Sequence, residues 1–188
     1  ATAVKNYVGA KGGEVAMESY SIGDTDFYAQ LTKIKNNQPD GIIIAGNLSE
    51  ASQITRQVKE LAIPSQLYGF GGLSSFDYNK IASGSNEGLI CASYFENASP
   101  NPLAQQFIKA YKEKYNVDPD MFAAAIYEAV YIAKASVEKM GDTKDIAAFR
   151  TALRDELAKI KDLPGVQGPT TFDAKGQADK QVMIVQWN

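Results

Sequence analysis

The stretch that decides the fold is residues 39–75. It runs Pro39-Asp40-Gly41-Ile42-Ile43-Ile44-Ala45-Gly46-Asn47-Leu48-Ser49, a helical pattern from Glu50 to Leu61, Ala62-Ile63-Pro64, then Gln66-Leu67-Tyr68-Gly69-Phe70-Gly71-Gly72-Leu73-Ser74. Ile42 to Ala45 is apolar, carries three β-branched residues and lies between glycines. It is too short for a helix and reads as a strand buried on both faces, as in parallel sheets. Ser49 stands at the expected helix N-cap, and Ile54, Val58 and Leu61 follow at helical spacing. Pro64 stops that helix, and a second apolar segment follows. Strand, helix and strand form a βαβ unit, which opens ligand crevices at the carboxyl ends of its strands. Those ends carry Asn47-Leu48 and Phe70-Gly71-Gly72-Leu73-Ser74.

Composition narrows the function classes. The 188 residues suit one large domain or two small ones, and the 45% apolar and 22% charged fractions are ordinary for a globular protein. A net charge of −3 argues against nucleic acid or an anionic membrane surface as the main partner. The chain has no His, so it lacks the commonest general base and metal ligand. Its one cysteine, Cys91, lies in the apolar run Leu89-Ile90-Cys91-Ala92 and reads as a small buried hydrophobe. No stretch approaches 18 apolar residues, so no membrane-spanning helix is expected. Val4, Tyr7 and Val8 have helical spacing with nothing before them to cap a helix. The expectation is a piece of a longer protein.

Outward from the central unit, helix 1–9 ends at Gly12-Gly13, and Glu14 to Tyr20 alternates as a strand. Asp24 or Thr25 is expected to cap a helix whose apolar face is Phe27, Leu31 and Ile34. A short helical turn, 76–83, and a strand, 89–95, follow. At Glu96 to Pro102 the texture changes to small polar residues and prolines, a linker or crossover. Helices are expected at 102–115, 119–140 and about 144–159, with Pro119 at the first helical position of the second. Met121 to Val137 is apolar on most faces, so deep burial is expected there. The end is a closing β-hairpin: Val166 to Phe172, a hairpin turn at Asp173-Ala174-Lys175-Gly176, and Val182 to Trp187.

Chemistry-bearing motifs are few. There is no dinucleotide fingerprint, phosphate loop or G-x-S-x-G elbow. Asp24 and Asp26 read as a capping turn, and Lys109, Lys112 and Lys114 as a solvated face over a buried aromatic stripe. What remains is the crevice: Asn47, Leu48, Ser49, Phe70, Gly71, Leu73 and Ser74, with Tyr20 and Tyr94. Asn and Ser supply donors and acceptors, and Phe and Tyr supply apolar walls. Turn and capping roles account equally for Asn47, Ser49 and the glycines.

An ordered series of short matches then carries a resemblance. It comprises Tyr20-Ser21-Ile22-Gly23-Asp24-Thr25-Asp26-Phe27, Gln30 to Lys35, Gln38-Pro39-Asp40-Gly41-Ile42, Glu87-Gly88, and Pro102-Leu103 with Phe107 and Tyr111. Pro119 with Phe122-Ala123-Ala124, Tyr127 with Ala129-Val130-Tyr131, and Gly165-Val166-Gln167-Gly168 through Gly176 continue it. Over nearly all its length the chain resembles the type I periplasmic solute-binding proteins of ABC importers, in particular the branched-chain amino-acid (Leu/Ile/Val-binding) receptors. The resemblance implies an α/β fold. A Rossmann-like parallel-sheet lobe (1–96, lobe 2 without its first strand) would join part of a second α/β lobe (97–188, belonging to lobe 1 and the hinge crossovers). The amino-terminal portion of the fold would be missing. Strands 14–20 and 41–45 would then lose a shared neighbour, leaving a closed-up strand order, pairing with another chain, or a further amino-terminal segment.

The resemblance also implies function. A small organic solute (an amino acid, an aromatic acid or an amide) would be held without chemistry and passed to an ABC permease by hinge closure. The protein would be periplasmic or extracellular, lipid-anchored or soluble, with no catalytic residue, cofactor or metal, no nucleic-acid partner and no direct membrane insertion. The ligand residues implied are Asn47, Leu48, Phe70, Gly71, Leu73, Ser74 and Tyr20. Asn47 stands where relatives often carry an aromatic residue, and Gly71 where amino-acid receptors often carry an acid for the ligand's ammonium. A buried ammonium without that acid is costly. The departure favours neutral or anionic solutes unless Asp77 or Glu50 substitutes. The rivals are a ligand-sensing domain of a receptor or amide-regulated protein and, less favoured without His, a doubly wound enzyme.

Overall fold

Gly41–Ile44 forms β1 and Gln66–Gly69 forms β2, joined by helix α3, Leu48–Glu60. The strands pair in parallel, with Ile42 opposite Leu67 and Ile44 opposite Gly69, so the expected βαβ unit is present. The computed structural model describes residues 2–141 and 145–188. They divide into two compact units, one running up to Ala92 and including Ile184–Asn188, the other Ser93–Met183.

In the first unit, β3 (Ile90–Ser93) pairs in parallel with β2, and β6 (Met183–Gln186) completes a four-stranded sheet in the order β1-β2-β3-β6. Its core joins Ile42, Ile44, Leu67 and Cys91 of the sheet to Phe27, to Leu31 of α2 (Tyr28–Asn36), to Ile54 and Val58 of α3, and to Tyr78 of α4 (Phe76–Ala82). Thr55 and Tyr78 share a buried hydrogen bond of 2.8 Å. Burial pushes the Tyr78 hydroxyl up to about 12 and the Cys91 thiol up to about 11, so Cys91 is the inert, buried thiol its neighbours imply.

Several local expectations are corrected here. β1 is buried on one face only: Ile43 is 45% exposed beside an exposed Tyr68. Residues 14–20 form no strand, and β1 has β2 as its one partner among the described residues. The alternation of 14–20 has no strand to pair with, and period alone does not make a sheet. Asn47, not Ser49, is the residue before α3. Neither Asp24 nor Thr25 caps α2. Asp24 accepts the Ser21 amide at 2.8 Å, while the Phe27 amide goes to Gln57 of α3 at 2.7 Å. Helix α1, Thr2–Ala10, forms as expected and buries no residue.

The second unit holds α5 (Pro102–Tyr115), α6 (Met121–Val137) and α7 (Ile146–Leu157), with β4 (Thr171–Phe172) and β5 (Ala178–Asp179) as an antiparallel pair. The expected start of α7 at residue 144 lies outside the described residues. Asn101, Asp120 and Asp145 cap the three helices through their side chains, so Pro119 precedes α6 instead of opening it. The β4–β5 turn has Gly176 at φ 76°, the left-handed conformation foreseen for it, but the expected hairpin with Val182 to Trp187 does not form: β4 pairs with β5, and Met183–Gln186 joins the four-stranded sheet. The core is Phe95, Ala104, Phe107, Ile108, Ala124 and Val166. Lys109 and Lys112 are solvated in ion pairs with Glu113 and Asp118, but Tyr115 beside them is exposed, not buried.

The largest correction concerns α6. Ala124, Glu128 and Ser136 are its buried residues, while Ile126 is 70% and Val130 62% exposed. Apolarity on most faces reports what a helix is able to bury, and the second unit covers one stripe of it.

Candidate functional site

The parallel register of β1 and β2 sets the site. Ile44 lies opposite Gly69, so the segments after them, Ala45-Gly46-Asn47 and Phe70-Gly71, leave the same end of the sheet. Asn47 and Gly71 therefore share the carboxyl rim. Asn47 is extended and exposed, and its side chain makes no capping hydrogen bond to α3, although its carbonyl accepts the Ala51 amide at 2.9 Å. Leu48 is half-buried and packs on the core from the first turn of α3.

After β2 the chain turns through a 3-10 segment, Gly71–Ser74. Phe70 precedes it with its ring 49% exposed. The Leu73 amide donates to Phe70 O at 2.8 Å and the Ser74 hydroxyl to Gly71 O at 2.7 Å, which closes the turn. Leu73 is 1% exposed, so it does not face a solute as expected. It supports the rim from beneath. A Cβ at Gly69 would stand 2.5 Å from Leu73 Cδ2, which is why glycine ends β2. Trp187 holds the same turn from the carboxyl-terminal segment, its indole N–H donating to Leu73 O at 2.8 Å. The chain's single Trp was the available signal for that role, and sequence reading passed over it.

Tyr20 reaches the rim from a segment without regular structure. Its hydroxyl donates to Ala45 O at 3.3 Å, and its ring meets Phe27 edge-on, centroids 5.2 Å apart. A Cβ at Gly46 would lie 1.8 Å from that hydroxyl, so Gly46 admits the close approach. Partial burial raises the Tyr20 pKa, with a smaller contribution from the Glu50 charge.

Glu50 is 4% exposed and accepts the Gly23 amide at 2.8 Å, tying the 21–24 turn to α3. That hydrogen bond, reinforced by its own backbone amide, holds the carboxyl below its ordinary value against the opposing effect of burial. Its second oxygen is sealed from solvent without a hydrogen-bond partner among the described residues. Glu50 is thus turned inward, away from the role of ammonium partner. Asp77 stands exposed in the first turn of α4.

The rim therefore presents an amide, an aromatic face and a side-chain-free glycine, with Tyr20 and Ser74 engaged on its backbone. This set suits holding a small molecule. Tyr94, also expected near strand ends, is exposed just after β3. Two shallow cavities lie elsewhere. One of about 340 Å³ is lined by Gln167, Gly168 and Lys180 of the second unit; the other, about 130 Å³, by Asn79, Asn86 and Trp187 of the first. Among the described residues no cluster of three His, Cys, Asp or Glu is placed to hold a metal, and no helix is long and apolar enough to cross a membrane.

Comparison with known proteins agrees with this architecture. The chain is 33% identical over 147 residues to Leu/Ile/Val-binding protein homolog 3 of Brucella melitensis, a match that takes in 77% of this chain and 39% of that protein. The crystal structure of the leucine-binding protein LivK of Thermotoga maritima superposes with a TM-score of 0.87 at 29% identity, over 95% of this chain and 50% of that one. LivJ of Streptococcus pneumoniae, a branched-chain amino-acid transporter substrate-binding protein solved in complex with isoleucine, gives 0.86 at 31% identity, over 98% and 52%. The chain thus spans about half the length of the solved relatives, and these relatives are binding proteins, not enzymes. With the family's sequence pattern matched across residues 1–188 and the parallel-sheet fold shared with its solved members, the chain belongs to the periplasmic binding protein family.

Proposed function

We propose that this chain supplies one jaw of a solute-binding receptor that feeds an ABC importer. The observation that carries the reading is the rim itself, where Asn47 and Phe70-Gly71 leave the same end of two adjacent parallel strands. A solute seated there is gripped from one side by Asn47, Phe70, Gly71 and Ser74, with Tyr20 and Leu48 flanking and Leu73 beneath. Closure of a second jaw over it biases the receptor toward the form that docks on a permease. No bond is made or broken.

The relatives named above bind leucine, isoleucine or valine, so a small amino acid or a related organic solute is the ligand class. Within it, the rim favours compounds without an ammonium group. Gly71 offers no side chain, and the Glu50 carboxylate is buried, with one oxygen taken by the Gly23 amide. An ammonium desolvated at this rim would lack a charge partner from these residues.

The test is a thermal-shift screen of amino acids, aromatic acids and amides on the gene product that carries residues 1–188. A solute at one hundred times its Kd stabilises by about 2.7 kcal/mol, or roughly 3–5 °C in a protein of a few hundred residues. Stabilisation by aromatic acids or amides is the expected result. Stabilisation by amino acids alone contradicts the ligand preference, and none by any class contradicts the receptor reading.

A further inference from the structure

Helix α3 holds a segment that has no regular structure of its own. Residues 20–27 belong to no helix or strand, so no backbone ladder fixes them. Two buried side chains of α3 take over that task. Glu50, 4% exposed, accepts the Gly23 amide at 2.8 Å. Gln57, 6% exposed, uses both ends of its amide. Its oxygen accepts the Phe27 amide at 2.7 Å, and its nitrogen donates to Thr25 O at 2.8 Å. Glu50 and Gln57 stand about two helical turns apart, and so on one face of α3.

The segment they pin leads to the rim. Tyr20, at its head, donates to Ala45 O at 3.3 Å, which is long for a hydroxyl. Its ring stands edge-on to Phe27, a 1% exposed residue at the other end of the segment. The space is narrow, since a Cβ at Gly46 would lie 1.8 Å from the Tyr20 hydroxyl. One long hydrogen bond does not fix a ring in so tight a place. The ring takes its position from the points where the segment is pinned: Gly23 by Glu50, and Thr25 and Phe27 by Gln57.

We propose, building on the receptor reading above, that Glu50 and Gln57 form a polar clamp that sets Tyr20 at the carboxyl rim. Both are then positioning residues for the solute, although neither touches it. A shift of the 20–24 turn carries Tyr20 with it and changes how far the ring stands over the solute beside Gly46. The two ends of α3's buried polar face thus tune a wall of the site through the backbone of another segment.

The test uses the gene product that carries residues 1–188, with leucine, benzoate and benzamide as probes in calorimetric titrations. Glu50→Asp keeps the charge and withdraws it from Gly23 by one carbon–carbon bond, about 1.5 Å. Glu50→Gln keeps the reach and an oxygen that accepts the Gly23 amide. Gln57→Leu removes both bonds of the second clamp point. Hydrogen exchange, followed by mass spectrometry, is read first without any probe. Glu50→Asp and Gln57→Leu speed exchange across 20–27 by about 10-fold. Exchange across 66–69, the folding control, stays as in the wild-type protein. For whichever probe binds the wild-type protein, both variants weaken affinity by about 10-fold, the scale of one lost charge-assisted hydrogen bond. Glu50→Gln restores both exchange and affinity. In a Tyr20→Ala background Glu50→Asp costs less than about 2-fold more, because the group it positions is gone. An equal loss with and without Tyr20 overturns the proposal. Unchanged exchange in Glu50→Asp overturns it too, as does a Glu50→Gln variant as impaired as Glu50→Asp. If none of the probes binds the wild-type protein, the receptor reading and the effect on affinity fail together, while exchange across 20–27 still decides whether the clamp exists.

Discussion

Glu128→Ala is expected to destabilise the Ser93–Met183 unit by about 3–5 kcal/mol, the usual cost of leaving one partner of a buried ion pair alone. The Glu128 and Lys180 side chains are 5% and 11% exposed and form a direct ion pair. Glu128 also accepts the Gln167 amide at 2.8 Å and the Thr170 hydroxyl at 2.9 Å. Lys180 reaches Gly168 O at 3.1 Å and Thr170 Oγ1 at 2.5 Å. One carboxylate thus ties α6 to the 165–171 segment and to the residue after β5. Removing it strands a buried ammonium and releases that segment. A Cβ at Gly165 would come within 2.2 Å of the same carboxylate, which gives the Gly165-Val166-Gln167 stretch its reason. Urea denaturation of Glu128→Ala measures the loss. The paired replacement Glu128→Met with Lys180→Met recovers most of it, since an apolar pair of similar volume removes both charges. A loss below about 1 kcal/mol for the single variant contradicts a buried, isolated pair.

Leu73→Ala is the second large effect, about 2–5 kcal/mol for an aliphatic side chain removed from a packed core. Leu73 is 1% exposed, wedges against Gly69 at the end of β2, and its carbonyl accepts the Trp187 indole. The cavity opens beside Gly69, where β2 runs into the rim. Solute affinity should therefore fall together with stability, although Leu73 faces no solute. Leu73→Met, close in volume, should cost less than about 1.5 kcal/mol. Denaturation and titration on the same variants separate the two readouts. Full stability in Leu73→Ala contradicts its place in the core.

The central unit was legible because its signals agree with one another. A short β-branched run between glycines, a helical spacing of Ile54 and Val58, and a proline stop each imply the same βαβ arrangement, and the register bears it out. The Asp120 cap of the second unit was not placed because Pro119 suggested a helix two residues earlier than the observed start at Met121. Other misses share a cause. The alternation at 14–20 and the apolar faces of β1 and α6 report a capacity to pack, and periodicity carries no information on whether a partner is present. At the rim, the strand ends were readable, but side-chain direction was not. Leu73 turns under the rim, Glu50 turns to Gly23, and Gly46 matters for the room it leaves Tyr20. Each depends on a contact more than 20 residues away or on a neighbour's missing Cβ.

A crystal structure of the full gene product with its stabilising solute tests the central claim most directly. Solute atoms are expected within about 4 Å of Asn47, Phe70 and Gly71, between this rim and a second jaw. A solute seated away from the ends of β1 and β2, with Asn47 and Phe70 still facing solvent, would contradict it.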